Sequence, residues 1–153
     1  TSPFEGRYGW HIPGPLDHEA MVDAGRLLVG EHDFAAFQAA GSSVRTTIRT
    51  LLHVTVSPPA SGLWSSVNGV GETVTTIEVR GTGFLRHMVR ILVGTLVEVG
   101  QGIRDRESVA RALGVATRDV AGQTAPSRGL FLVQVEYHGP PSETRRSGTA
   151  SNP

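Results

Sequence analysis

The sequence predicts an α+β domain, a mostly antiparallel sheet of about four strands with helices on one face. Three observations predict it. Residues 47–57 and 73–80 are two β-branched runs separated by proline and glycine. From Phe84 onward the pattern turns helical, with Leu85, Met88, Leu92, Leu96 and Val99 recurring at spacings of three and four. A last apolar run, Leu130-Phe131-Leu132-Val133-Gln134-Val135-Glu136-Tyr137, reads as a final strand.

Taken in order, Tyr8, Trp10 and Ile12 alternate with Gly9 and His11, which predicts a strand ended by Pro13-Gly14-Pro15. Asp17 is placed to cap a helix carrying Met21, Ala24, Leu27 and Leu28 and closing at Gly30. His32-Asp33-Phe34-Ala35-Ala36-Phe37 predicts a short turn whose two phenylalanines dock on the core. Gly41-Ser42-Ser43 is a loop. In the strand at 47–57 the expected inward positions are Ile48, Leu52, Val54 and Val56, and Pro58-Pro59 ends it. Residues 63–67 read as a short strand or part of the connection, and Asn68-Gly69 and Gly71 supply turn chemistry. The strand at 73–80 is expected to pair antiparallel with the first. Val89, Ile91, Val93 and Val97 widen the stripe of the helix that follows until it is apolar on most sides, which marks it as central. Gly100-Gln101-Gly102 breaks that helix. Asp105 or Ser108 caps the next, which carries Val109, Ala110 and Leu113 and ends at Gly114. The domain is expected to span 1–138. Residues 139–153 hold no large apolar side chain and read as a disordered tail.

The 153 residues suffice for one core. Fourteen basic and fourteen acidic residues cancel, so net charge points to no nucleic-acid partner. The distribution is uneven, however. No acid lies between Asp33 and Glu72, where Arg45 and Arg49 sit, and Arg80, Arg86 and Arg90 are the only charges between Glu78 and Glu98. All the basic residues are arginine, a bias attributable to genomic base composition. The absence of cysteine removes disulfides and thiolate metal sites and agrees with a cytoplasmic protein. No apolar run approaches the roughly 20 residues needed to span a bilayer, and the N-terminus has no signal-peptide layout. The first residue is Thr1 rather than Met, as expected of a processed product or a piece of a longer chain.

The six histidines show no metal-ligand spacing, and no glycine-rich loop with lysine or nucleophile-elbow serine occurs. Gly81-Thr82-Gly83 before a helix is a weak anion-binding signal. Arg118-Asp119-Val120-Ala121-Gly122 reads as a solvated loop. The sharpest anomaly is a pair of arginines, Arg86 and Arg90, four apart in the apolar helical run and so expected on one face. They either snorkel along aliphatic stems or meet an anion or carboxylate. For Arg90, flanked on both sides by apolar residues, the second reading is preferred.

Gly83-Phe84-Leu85-Arg86-His87-Met88-Val89-Arg90-Ile91-Leu92-Val93-Gly94-Thr95-Leu96 resembles the signature of TruA-type tRNA pseudouridine synthases. Four further stretches are similar, in the family's order: Trp10-His11-Ile12-Pro13-Gly14-Pro15-Leu16-Asp17, Gly30-Glu31-His32-Asp33-Phe34-Ala35-Ala36-Phe37, Arg49-Thr50-Leu51, and Thr124-Ala125-Pro126-Ser127-Arg128-Gly129-Leu130-Phe131-Leu132. The resemblance covers roughly residues 4–137. It implies isomerisation of uridine to pseudouridine in the anticodon arm of tRNA, without cofactor or metal, by a homodimer. It also implies that Arg90 is the active-site arginine that orients an aspartate, and that Leu130 packs near the target base. Arg45, Arg49, Phe34, Phe37, Arg86 and His87 are the residues it implies for RNA binding, with less specificity.

The family's nucleophilic aspartate belongs to an Arg-Thr-Asp-Ala-Gly motif and its stacking tyrosine to a Tyr-Arg-Tyr motif, and this sequence contains neither. Arg118-Asp119-Val120-Ala121-Gly122 is only a scrambled echo of the first. The resemblance is therefore to the C-terminal half, whose partners would be tRNA, a second copy and the missing N-terminal half. Two expectations follow. One is half of a synthase that is inactive alone. The other is a non-catalytic RNA-binding or dimerisation module derived from such an enzyme.

Overall fold

The order of elements is helix, helix, then strands, then two further helices. The computed structural model describes residues 5–41, 44–57, 60–61, 73–115 and 117–137. They form α1 (Glu5–Tyr8), α2 (His18–Leu27), β1 (Gly30–Asp33), β2 (Ile48–Val56), β3 (Ala60–Ser61), β4 (Thr73–Val74), β5 (Ile77–Gly81), α3 (Met88–Gly100) and α4 (Arg106–Leu113). Single 3₁₀ turns lie at Ala35–Phe37, Arg118–Val120 and Ser127–Gly129. The main sheet is antiparallel with order β1-β2-β5, and β3 and β4 pair as a separate two-residue ladder. The expected strand at 63–67, the turn at Asn68-Gly69 and the tail at 139–153 lie outside the described residues.

The α+β class and the antiparallel pairing agree with the sequence, and several elements need correction. The alternation at Tyr8, Trp10 and Ile12 is not a strand. Tyr8 ends α1, and Trp10 and Ile12 pack half-buried on the core from a segment with no sheet partner. Gly30–Asp33, read as a helix end and a turn, is an edge strand. Its Glu31 and Asp33 leave no apolar alternation to detect, and charge is what an edge strand tolerates. In β2 the register shifts between Leu51 and His53. A bulge of this kind adds a residue and reverses which parity points inward. Leu51 is therefore buried and Ile48 and Leu52 are exposed, while Val54 and Val56 face the core as expected. The run at 73–80 is broken at Thr75-Thr76 into β4 and β5.

The predicted final strand at 130–137 is not in the sheet. Leu132 and Val133 are 82% and 88% exposed, and Phe131 and Tyr137 are exposed too. High β-propensity yields a strand only where a ladder partner is available, and no described strand pairs with this run. Its Glu136 carboxylate meets Arg80 on β5.

The helices keep their sequence logic. Asp17 caps α2 by accepting the Ala20 N–H at 2.9 Å, and Asp105 caps α4 by accepting the Ser108 N–H at 2.7 Å. The central helix starts at Met88, four residues later than Phe84. His87 stands before it with φ +60°, and the Met88 N–H bonds the Leu85 carbonyl at 3.0 Å. Leu85, Met88, Leu92, Leu96 and Val99 are all buried, as the spacing demanded. The helix ends at Gly100, as the Gly100-Gln101-Gly102 run predicted, and it does so under α2, where a Cβ would meet Met21 Sδ at 2.5 Å. The chain turns at Gly102, φ +71°, with the Ile103 N–H on the Glu98 carbonyl and the Gly102 N–H on the Val99 carbonyl, both at 2.9 Å.

α3 is thus held by α2, by the 3₁₀ turn at Ala35–Phe37 and by the loop after α4. The loop contact is the tightest. A Cβ at Gly94 would lie 1.9 Å from the Gln123 carbonyl oxygen, and one at Gly122 would lie 2.6 Å from Thr95 Cα. Gly94→Ala is expected to cost about 3 kcal/mol, because a backbone carbonyl must move. Gly100→Ala should cost about 1 kcal/mol, since Met21 is flexible and can yield. Urea unfolding midpoints of the two variants check this order, and equal costs would contradict the described contact.

Candidate active site and nucleic-acid interface

Arg90 lies in the first turn of α3, half-buried, beside the loop that follows Gly122. The two segments grip each other in both directions. Arg90 Nε donates to the Ala125 carbonyl at 2.6 Å, and the Ala125 N–H donates to the Arg90 carbonyl at 3.0 Å. Among the described residues no carboxylate pairs with Arg90, and none of its other nitrogens is both fully buried and unpartnered. With Nε engaged, Nη1 and Nη2 form the other end of the guanidinium fork. That end can take a carboxylate or a phosphate in two parallel hydrogen bonds.

The loop runs along the face of α3 marked by Arg90, Gly94 and Glu98, residues four apart. The Gly122 N–H donates to Thr95 Oγ1 at 2.9 Å, and Thr95 Oγ1 donates to the Ile91 carbonyl at 2.8 Å. The Gln123 N–H donates to Glu98 Oε1 at 2.9 Å. Glu98 Oε2 pairs with Arg104 Nε, whose terminal nitrogens donate to the Val120 and Ala121 carbonyls at 3.0 and 3.1 Å. A loop lying against a helix has backbone groups that water cannot reach, and here each named group has a partner.

Arg86 does not share a helical face with Arg90, because it precedes α3 in the turn before His87. Its Nη1 donates to the Ala40 carbonyl at 3.3 Å, and its own carbonyl accepts the Ala39 N–H at 3.0 Å. Arg49 lies against Gly83, where a Cβ would stand 3.9 Å from its Nε, and its Nη1 donates to the Thr46 and Ile48 carbonyls at 3.0 and 2.6 Å. Residues 39–41 and 44–49 therefore lie beside 81–87. They carry Arg45, Arg49, Arg86 and His87, with Arg45, Arg86 and His87 exposed. Phe34 and Phe37 are different. Both are fully buried and pack edge to face with centroids 5.8 Å apart, so in this chain they are core residues with no surface to offer RNA. Leu130 follows the Ser127–Gly129 turn and is 48% exposed.

The sequence reading missed Glu98, Thr95, Arg104 and the two glycines that admit the loop. A signal was present, since Glu98 is the only acid in the helix and stands two four-residue steps from Arg90. Among the described residues no group of histidine, aspartate or glutamate is arranged to hold a metal ion, and no helix is long and apolar enough to cross a membrane.

A sequence model described as tRNA pseudouridine synthase matches residues 24–138. The chain belongs to that family. It is 46% identical over 136 residues to tRNA pseudouridine synthase A of Syntrophotalea carbinolica, covering 89% of this chain and 49% of that protein. It is 44% identical over 136 residues to the protein of the same name from Geotalea uraniireducens, covering 89% and 51%. A third relative so named, from Myxococcus xanthus, is 41% identical over 144 residues, covering 94% and 50%. The chain spans about half the length of the curated relatives it matches.

Thr95→Val keeps the shape of the side chain but strands the buried Gly122 N–H. We expect it to cost about 2 kcal/mol, and Thr95→Ser, which retains the acceptor, to cost less. Denaturant titration of both variants is the check, and equal stability of valine and wild type would remove the hydroxyl from this account.

Proposed function

We propose that this chain is the half of a tRNA pseudouridine synthase that supplies the active-site arginine, and that it works joined to an N-terminal half bearing the nucleophilic aspartate. The observation that carries the reading is Arg90, half-buried and fixed through Nε to the Ala125 carbonyl, with no described carboxylate paired to it. Family membership and the half-length match to the named synthases support it.

The reaction is an isomerisation. It breaks the bond between the sugar and the base nitrogen, turns the base, and rejoins it through a ring carbon, which loses its proton while the freed nitrogen gains one. The carboxylate acts at the sugar, and a guanidinium beside it holds it ionised and oriented through two charge-assisted hydrogen bonds. The target base must leave its stack to be reached, and Leu130, half exposed, would pack near it. Arg45, Arg49, Arg86 and His87 would contact the backbone of the anticodon arm, positioning the tRNA without reading its sequence. The proposed enzyme is a cytoplasmic homodimer needing neither cofactor nor metal.

A second reading, a non-catalytic RNA-binding or dimerisation module, draws on residues 131–133, whose exposed apolar side chains suit an interface. Activity separates the two. In a protein joining this chain to a half with the aspartate motif, Arg90→Ala should abolish pseudouridine formation on unmodified tRNA while leaving part of the tRNA affinity. Full activity in that variant would refute the assigned role. The chain alone is expected to give no pseudouridine, and turnover by it would sink the division of labour. It should also self-associate through 130–137, which light scattering would contradict by showing a clean monomer at high concentration.

A further inference from the structure

Glu98 is the only carboxylate on α3, and it is buried in the otherwise apolar C-terminal half of the helix. Burying a charge there is unfavourable unless it is paired and its remaining lone pairs are satisfied. Both conditions hold. One oxygen pairs with Arg104 and the other accepts the Gln123 N–H, while Arg104 grips the carbonyls of Val120 and Ala121. One ion pair therefore ties residues 120, 121 and 123 to α3, beside the Thr95 hydroxyl that holds the Gly122 N–H. Two residues further on, Ala125 closes on Arg90.

We infer that Glu98 and Arg104 are positioning residues for Arg90, fixing the register of the loop on α3 and with it the Ala125 carbonyl that aims the guanidinium. Apolar packing could hold the loop at the same distance, but it could not select which carbonyl faces Arg90. Directional, charge-assisted bonds to named backbone groups do select it. The glycines enforce the same register from the other side, because a Cβ at 94 would strike the Gln123 carbonyl and one at 122 would strike Thr95 Cα. The catalytic consequence rests on the function proposed for Arg90, whereas the geometric consequence does not.

The two are separable by experiment. In the chain labelled with ¹⁵N, the Arg90 Nε–H should exchange slowly in the wild type, and at least about tenfold faster in Glu98→Ala and Arg104→Met. In a protein joining this chain to the aspartate-bearing half, both variants should lower kcat by roughly 10- to 100-fold. KM for tRNA should stay within about twofold, since the residues do not touch RNA. Glu98→Gln, which keeps an acceptor for the Gln123 N–H, should recover part of kcat. Unchanged exchange at Arg90 in the folded variants would overturn the inference. So would a fall in kcat no larger than the fall in folded fraction, or failure of both variants to fold, since the pair would then serve only to hold the domain together. If Arg90→Ala left activity intact, the proposed function would fall, while the exchange measurement would still decide the positioning role.

Discussion

A carbonyl oxygen pressed onto a helix with no side chain in between is the constraint on which the rest of the domain depends. Gln123 can approach Gly94 only because residue 94 has no Cβ. That approach lets Thr95, Glu98 and Arg90 reach the backbone of the loop from one face of α3. The same helix buries Ile91, Leu92, Leu96, Val97 and Val99. Each of these contributes about 1.5–3 kcal/mol by leaving water. Apolar burial holds α3 in place, and polar bonds along its remaining face hold the loop to it. The outcome is a rigid mount for one guanidinium.

A cation mounted in this way is prepared before any partner arrives. The arginine side chain has several rotatable bonds, and fixing them at the moment of reaction would cost about 2 kcal/mol of rotamer freedom. With Nε already held by Ala125, much of that ordering is complete in the folded chain. The basic segments at 44–49 and 81–87 differ in kind. Arg49 and Arg86 there bond carbonyls, and Arg45 and Arg86 are exposed. In the proposed function, one cation is fixed for orientation and the others serve attraction.

Much of this was legible in the sequence where one physical signal dominated. The stripe from Leu85 to Val99 and the caps at Asp17 and Asp105 follow from local chemistry, and the structure has all of them. Arg90, expected to meet an anion or carboxylate, is half-buried with its Nε on the Ala125 carbonyl, and no described carboxylate pairs with it. Failures came where a second chain segment decided the result. The bulge at Leu51 and His53 reversed the inward parity of β2, and alternation alone cannot reveal an inserted residue. The run at 130–137 has strand propensity but no strand to pair with among the described residues. Arg86 missed the face of Arg90 because the left-handed residue His87 delays the helix by one turn. Glu98 was overlooked because its partners, Arg104 and the Gln123 amide, lie beyond the end of α3, where helical spacing no longer links them.

Native-state hydrogen exchange of the loop amides tests the central claim most directly. If α3 and the loop are one mechanical unit, the Gly122, Gln123 and Ala125 N–H groups should exchange only through the opening that releases the amides of α3, with matching free energies. Exchange of those three amides at the rate of an exposed loop, while α3 stays protected, would contradict it and leave Arg90 without a fixed mount.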